Sequence, residues 1–319
     1  MRIQRALEII RFDTGTLSDI SGRSINNLFS DKNILDRLYA ELNQYANVTK
    51  AIEDVYSFAL NDDTPYVAAP SLALRSETYK FIIYVLNGRY FPMDIRGFAG
   101  SYNNFPTRTI EGIPSWVLPF GTKGSDRLFF FPQASSDANT TTITSDITIS
   151  DTTIPVTSSS GFVAGDGRIT IGSEKILYGY KDSTNLYDCV RGVEQTTAAA
   201  HSSGATVTEH NVYCYYSRLH TDIRLPANSN NPNFVPRSIL DTELEVAEEH
   251  LKGILQAVTY ELVRKVDATR AKEYKIDADT LYEQYRLDIR KGRSRVRQGT
   301  NIRLPYLNES GTPFYTNLM

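Results

Sequence analysis

The segment from Gly167 to Val207 most constrains the fold of this chain, because it has strand character in the middle of a chain whose two ends have helical periodicity. Its apolar residues alternate with polar ones, and turns containing glycine interrupt them, which is typical of short antiparallel strands. The segment therefore predicts a small β-unit. Its expected core positions are Ile169, Ile171, Ile176, Tyr178 and Val190.

Helical periodicity comes before this β-unit. Apolar residues at helical spacing predict a short helix over 2–11. A second helix of about thirty residues is expected from Ser30 to Leu60, because Ser30 is a good N-cap and an apolar stripe follows it. We expect this long helix to bury one face.

Two further helices are expected after the β-unit. One begins at about Ser238 and carries a stripe of leucines, with glutamates early and cations late, as the helix dipole prefers. A break near Asp267 leads to a third long helix, which ends at about Lys291 and has a narrow apolar face.

Strand-forming residues fill the region from 64 to 133, which predicts an antiparallel sheet of about four to six strands. Asn87–Gly88 is a strong hairpin signal within it. The strand around 127–133 is expected to pair with the one around 212–218, which makes the intervening segment an insertion at a hairpin tip.

These elements together predict an α+β fold, in which long amphipathic helices form a bundle beside an antiparallel β-sheet and a small all-β domain is inserted. The predicted domains are a composite core of 1–136 with 211–298, an inserted β-domain of 137–210, called the β-module below, and an extended C-terminal arm of 299–319.

No residue pattern in the chain predicts catalysis, a cofactor or a metal site. The four histidines, His201, His210, His220 and His250, lack metal-ligand spacing, and no nucleophile-elbow or phosphate-loop motif occurs. His201 is interpreted as a residue that fixes a turn by hydrogen bonds, and His250 as a solvated or interface residue. Cys189 and Cys214 are expected to be small core residues. The sequence leaves open a catalytic pair of carboxylates that are distant along the chain but close together in the fold.

The composition favours an ordinary soluble protein over a dedicated nucleic-acid binder. The net charge of the 319 residues is -3 and the pI is near 5.9. No signal peptide is visible, and the most apolar run, 81–86, is too short to span a bilayer. We therefore expect synthesis in a reducing cytoplasm and no membrane partner.

Positive charge is concentrated at the end of the third predicted helix, in "RLDIRKGRSRVRQ". Three interpretations stay open: a helix C-terminus with favourable cations, contact with an acidic protein, or contact with DNA that lines a channel. The arm 299–319 has two prolines, two glycines and no helical period, so it is expected to become ordered only on a partner.

Several short motifs of the β-module form a recognisable pattern. Its residues are Ile154–Val156, Gly167, Ile171–Tyr178, Arg191–Gly192, Thr196–His201 and Gly204–Ala205. This pattern resembles a small β-domain that recurs in structural proteins of tailed phages. Gln195 departs from the pattern, which has glycine at that position.

Four segments outside the β-module carry a second similarity, namely "FSDKNILDRLYAELNQYA", "GIPSWVLPFGTKGSDRLFFFPQ", "YCYYSRL" and "VPRSILDTELEVAEEHL". In the arrangement of these segments, the rest of the chain is similar to phage head-to-tail adaptor proteins. The resemblance implies a virion protein, assembled in the host cytoplasm, that forms a ring, expected to be dodecameric, between portal and tail.

The same resemblance implies the partners. They are the portal protein, the tail nozzle or tube proteins, tail fibres or spikes through 137–210, and transiently the genomic DNA in the lumen. The alternative is a tail-fibre or baseplate adhesion component that binds glycan. The residues expected to bind portal or tail are Arg290, Lys291, Arg293, Arg295, Arg297, Leu304, Tyr306, Phe314 and Tyr315.

Overall fold

A computed structural model describes eight stretches of the chain. They are 1–14, 30–64, 66–70, 79–96, 111–120, 127–225, 234–265 and 267–290. Two compact units can be distinguished: the first comprises the described residues of Met1–Glu53 and Ser217–Gln298, and the second those of Asp54–Ser71 and Arg75–Tyr216.

The described helices belong mainly to the two ends of the chain, and the strands to its middle. The helices are α1 Ile3–Thr14, α2 Asp31–Thr49, α3 Arg237–Leu240, α4 Glu248–Val263 and α5 Ala268–Arg290. The strands of the main sheet are β1 Glu53–Phe58, β2 Tyr66–Ala68, β3 Tyr79–Leu86, β4 Arg89–Ile95, β6 Trp116–Phe120, β7 Arg127–Phe131 and β15 Val212–Ser217. Strands β5 Glu111–Gly112 and β8 Gln133–Ala134 form a separate pair.

The predicted α+β fold with a long-helix bundle is wrong. The described part of the chain is mostly β, with two curled, half-barrel sheets of seven and six strands, and its helices are short. Two of the expected long helices are interrupted, which accounts for most of the difference.

The helix predicted to run from Ser30 to Leu60 ends at Thr49. Ser30 is its N-cap, as predicted, and accepts a hydrogen bond from the Asn33 amide. At the other end Lys50 adopts a left-handed conformation with φ of 51°, and the β-branched residues before it favour helix weakly. Val55 and Tyr56, which continue the predicted apolar stripe, lie in strand β1 instead.

The helix predicted from Ser238 is also divided. Only α3 forms at its start, and α4 begins at Glu248. The residues between them have other partners. The backbone of Glu243 forms an isolated antiparallel β-bridge with Arg2, and the Glu245 carboxylate accepts two hydrogen bonds from Arg218. The short helix predicted over 2–11 and the last predicted long helix are confirmed as α1 and α5, with Ala271, Ala278 and Tyr285 buried on the narrow face of α5.

The first unit is a helical core with one tight helix crossing. Apolar residues of α1, α2, α4 and α5 share a single buried cluster. Gly253 of α4 donates its amide hydrogen to the Tyr285 hydroxyl of α5, 2.9 Å away. A Cβ at Gly253 would overlap that hydroxyl and the Leu281 side chain, so glycine permits the close approach of α4 and α5.

The seven-stranded sheet has the order β1-β15-β3-β4-β6-β7-β2. The Asn87–Gly88 hairpin is confirmed between β3 and β4, with positive φ at both residues. The sheet is not purely antiparallel, because β4 and β6 pair in parallel. The predicted pairing of β7 with β15 is wrong: β7 pairs with β6 and β2, whereas β15 pairs with β3 and lies beside β1.

The six-stranded sheet lies within the β-module and has the order β10-β13-β12-β11-β14-β9. Its strands are β9 Thr140–Thr142, β10 Ile154–Pro155, β11 Gly165–Ile171, β12 Glu174–Lys181, β13 Asn185–Tyr187 and β14 Thr206–Glu209. The chain enters and leaves this sheet at adjacent points, since the Glu209 amide donates to the Asn139 carbonyl at 2.8 Å. The division into domains stays a prediction.

Four of the five predicted core positions of the module are fully buried, namely Ile169, Ile171, Ile176 and Tyr178. Val190 is not a core residue, because it is 52% exposed. The backbone of Val190 forms an isolated β-bridge with Leu177. Its side chain lies on the face of the sheet opposite to that of the neighbouring Cys189, which enters the core. Both cysteines are buried, as predicted. None of the helices in the described residues is long and apolar enough to cross a membrane.

Candidate functional site

The predicted partner-binding residues fall at the end of the described chain or beyond it. Arg290 is the last residue of α5. The other residues of that prediction lie outside the described residues, namely Lys291, Arg293, Arg295, Arg297, Leu304, Tyr306, Phe314 and Tyr315. Their assignment to portal or tail stays a prediction.

The β-module contains three glutamates whose side chains are buried, Glu174, Glu194 and Glu209. These are the only glutamates between residues 137 and 210. A buried carboxylate is costly unless charges or hydrogen bonds compensate it. The partners of each glutamate therefore indicate what it does in the structure.

Glu174 is the fully buried centre of what we call the Glu174 cluster, with Arg191, Gly192, Ala199 and His201. Arg191 donates to both carboxylate oxygens, at 2.8 and 2.7 Å. The backbone amides of Gly192 and Ala199 donate at 3.1 Å, and His201 Nε2 lies 2.7 Å from Oε2. The cluster joins β12 to the loop that follows β13.

The interpretation of His201 as a turn-fixing residue is confirmed by this contact and by its paired backbone hydrogen bonds with Ile147. Burial alone would raise the pKa of Glu174, but the hydrogen bonds from Arg191, His201 and the Ala199 amide lower it overall. Arg191 and His201, both residues of the phage-like pattern, thus contact one carboxylate.

Gln195, the residue that departs from the phage-like pattern, has a φ of 65°. That region of backbone space favours glycine. The preceding residue, Glu194, also has a positive φ, of 54°. The turn therefore keeps the backbone geometry of a glycine turn without the glycine.

Glu194 organises the second group, the Glu194 cluster, with Arg168, Lys175, Ser57 and His210. Its carboxylate is 5% exposed and lies 2.7 Å from Lys175 Nζ and 3.0 Å from Arg168 Nη1. It accepts hydrogen bonds from the backbone amide of Ser57, at 2.8 Å, and from the Ser57 hydroxyl, at 2.6 Å. Lys175 also donates to the Ser57 carbonyl, at 2.6 Å.

These contacts satisfy backbone groups at the edge of the main sheet. Strand β1, which contains Ser57, is an edge strand of the seven-stranded sheet. Unpaired amides and carbonyls on such an edge are a template for pairing with another chain. Here the Ser57 amide donates to Glu194 and the Ser57 carbonyl accepts from Lys175. Lys175 Nζ also lies 4.0 Å from the ring centroid of Tyr56. The module is therefore fixed onto β1 and covers it.

The Glu194 cluster brings a serine, a histidine and a carboxylate together, a combination that suggests nucleophilic catalysis. The polarity of its hydrogen bonds is the reverse of an activated serine. The Ser57 hydroxyl donates to Glu194, so it accepts from His210 Nδ1, 2.6 Å away. His210 Nε2 then accepts from Thr170, at 2.5 Å.

Burial, together with nearby Lys175 and Arg168, lowers the pKa of His210 well below its ordinary value, so the ring is neutral. Ser57 and His210 are both buried. His210 therefore donates to the Ser57 hydroxyl and does not accept its proton, and the arrangement acts as a hydrogen-bonded fastening.

Glu209 lies where the chain leaves the module and has only neutral hydrogen-bond donors. It accepts from the Val163 amide, Asn139 Nδ2 and the Tyr178 hydroxyl, at 2.5, 3.0 and 2.9 Å. Burial raises its pKa despite these bonds. A Cβ at Gly167 would overlap the Tyr178 hydroxyl, which accounts for the glycine of the phage-like pattern at this position.

An exposed aromatic pair on the module was missed in the sequence. Tyr180 of β12 and Tyr187 of β13 are cross-strand partners, and their rings stack with centroids 4.8 Å apart and planes 16° apart. Asp182, which accepts a hydrogen bond from the Tyr187 hydroxyl, also lines an adjacent cleft. Two tyrosines seven residues apart carry no signal until the strand register is known.

The interpretation of His250 as a solvated or interface residue is wrong. It is buried in the first unit, and its Nδ1 lies 2.7 Å from the Tyr45 hydroxyl. The glutamates beside it in the sequence suggested an exposed helix face, but His250 lies on the opposite face of α4, against Tyr45 and Tyr285. Within the described ranges, no group of three or more potential ligands could hold a metal ion.

The sequence matches no model of a known protein family, and a comparison with curated proteins found no match. The function of the chain is therefore inferred from its own residues.

Proposed function

We propose that this chain is a structural protein of a tailed-phage virion, a head-to-tail adaptor whose subunits form a ring between portal and tail. The observation that carries the proposal is the Glu194 cluster. It fastens a β-module of phage-like pattern to strand β1 through a buried carboxylate and two cations. A fastened module suits a rigid scaffold through which DNA passes.

The chemistry of the buried groups supports a scaffold as well. The Glu174 and Glu194 clusters saturate their carboxylates with donors and connect separate segments of the chain. Buried networks of this kind rigidify a fold where their members have partners, as the two carboxylates do, whereas Nε and Nη1 of Arg168 make no hydrogen bond within the described residues. In the proposed ring, the first unit and the C-terminal arm contact portal and tail, and the β-module is the docking site for fibres or a collar.

Antibody labelling of virions tests this proposal. Gold-labelled antibody raised against the full chain, viewed by electron microscopy on the phage that encodes it, is expected to mark the head-to-tail junction. Antibody against the portal protein is the positional control, since it should label the same end of the head. Label at the tail tip or along fibres would contradict the adaptor and favour the adhesion alternative, and unlabelled virions would contradict both.

A further inference from the structure

The β-module carries a flat aromatic surface that is open to solvent. Tyr180 is 51% exposed although its ring stacks on Tyr187. Stacking and cross-strand pairing hold both rings in one orientation, so little side-chain freedom would be lost when a ligand binds. The surface is preorganised.

Asp182 fixes the pair and connects it with a cleft. Its carboxylate accepts from the Tyr187 hydroxyl at 2.7 Å and from the backbone amides of Thr184 and Asn185 at 2.7 and 2.6 Å. These hydrogen bonds, that of the Thr184 amide first, lower the pKa of Asp182 to about 2, so the group is a charged acceptor at neutral pH.

The cleft beside Asp182 has a volume of about 340 Å³. It is lined by Ser158, Ser159, Ser160, Ala164, Lys181, Asp182 and Ser183. The side chains of Ser160 and Ser183 are exposed. Lys181 donates to the Ser159 carbonyl at 2.7 Å, which holds its ammonium group against the cleft wall.

We propose that this surface, Tyr180 with Tyr187 and the serine-lined cleft, is a binding site for a neutral carbohydrate. The apolar C–H face of a pyranose ring can stack on the exposed face of Tyr180, and its hydroxyls can bond to serine hydroxyls and the Asp182 carboxylate. The volume lies near the lower end of the range for small-molecule sites, which suits one or two sugar rings.

The charges favour a neutral sugar over a nucleic-acid strand, which also stacks on aromatic rings. Single-strand sites combine stacking with a positively charged groove that follows the phosphates. Here the fixed charge beside the aromatic pair is the Asp182 carboxylate, and the ammonium group of Lys181 is engaged by a backbone carbonyl. The charges of Lys181 and Asp182 offset each other, so these residues do not form the positively charged groove that a phosphate backbone requires. The inference goes beyond the adaptor proposal and stands without it.

A glycan array with the full chain, followed by titration of the strongest neutral glycan, tests the site. We expect binding of the native chain, and a loss of affinity of about tenfold or more in Tyr180→Ala, because the stacking surface is removed. Tyr180→Trp should retain binding. Tyr66→Ala, at an exposed tyrosine of β2 in the main sheet, is the matched control and should bind like the native chain.

Three results would overturn the proposal: no neutral glycan bound by the native chain, equal affinity in Tyr180→Ala, or equal loss in Tyr66→Ala. Preferential binding of an oligothymidine probe would overturn it in favour of a nucleic-acid site. Native-like hydrogen exchange in β11 and β12 of Tyr180→Ala would show that the module remains folded, as expected for a half-exposed residue.

Discussion

Glu174→Gln is expected to lower the free energy of opening of strands β11 and β12 by about 3–5 kcal/mol, because it removes the counter-charge of a buried arginine. The Arg191 side chain is 6% exposed and donates to both oxygens of Glu174. A glutamine offers one acceptor oxygen where four groups of the Glu174 cluster converge, and its amide hydrogens would face donors. Hydrogen exchange under native conditions measures this opening by strand.

Glu209→Gln is the matched control, since Glu209 is also buried in the module but has neutral partners. We expect a change of no more than about 1.5 kcal/mol there, the size of an ordinary hydrogen-bond loss. Equal losses in the two variants would show that burial alone, and not the charge of Arg191, decides the cost. That result would contradict the role given to the Glu174 cluster.

The two glutamates should also respond to pH with opposite sign. The pKa of Glu174 is lowered from 4.5, so its stabilisation is present above pH 4.5 and is lost as the pH falls through its folded-state pKa. The pKa of Glu209 is raised from 4.5, so its contribution is largest below pH 4.5 and is lost as the pH rises through its folded-state pKa. In Glu174→Gln, the acid-induced loss of stability below pH 4.5 should be reduced.

Glu194→Ala is expected to release the module from strand β1, again at a cost of about 3–5 kcal/mol, because Arg168 and Lys175 then share no buried counter-ion. The amide of Ser57 loses its acceptor at the same time. Hydrogen exchange in Asp54–Phe58 should therefore accelerate strongly. Since β1 is a sheet edge, sedimentation should also detect self-association of the variant.

Lys175→Met tests the contribution of the Lys175–Glu194 ion pair separately from that of the other contacts of Glu194. Methionine keeps much of the apolar stem of Lys175 and leaves the contacts of Glu194 with Arg168 and Ser57 in place, so a smaller loss is expected. Unchanged exchange of β1 in Glu194→Ala would contradict the inference that the module is fixed there.

Local signals in the sequence predicted the local features of the fold correctly. The Ser30 cap, the Asn87–Gly88 hairpin and the alternation over Ile169–Tyr178 each depend on neighbouring residues, and each is confirmed. Two of the long-helix predictions were wrong because apolar spacing alone cannot distinguish a continued helix from a turn followed by a strand. Lys50 in a left-handed conformation ends α2, and this end could not be predicted because the sequence has no glycine there.

Contacts between distant residues could not be predicted. The placement of β15 between β1 and β3 depends on the whole sheet, and the assembly of Ser57, His210 and Glu194 depends on that placement. The phage-like pattern contains Glu174, Arg191 and His201, but nothing in the sequence shows that these three side chains meet. Only the folded chain shows why this arginine and histidine occur together.

Native mass spectrometry of the full chain, alone and mixed with the portal protein of the same phage, tests the adaptor proposal most directly. The account predicts a ring of many copies, expected to be twelve, bound to the portal assembly, because repeated head-to-tail contacts between identical subunits close into a ring. A chain that stays monomeric in both samples, with no mass for a joint complex, would contradict it.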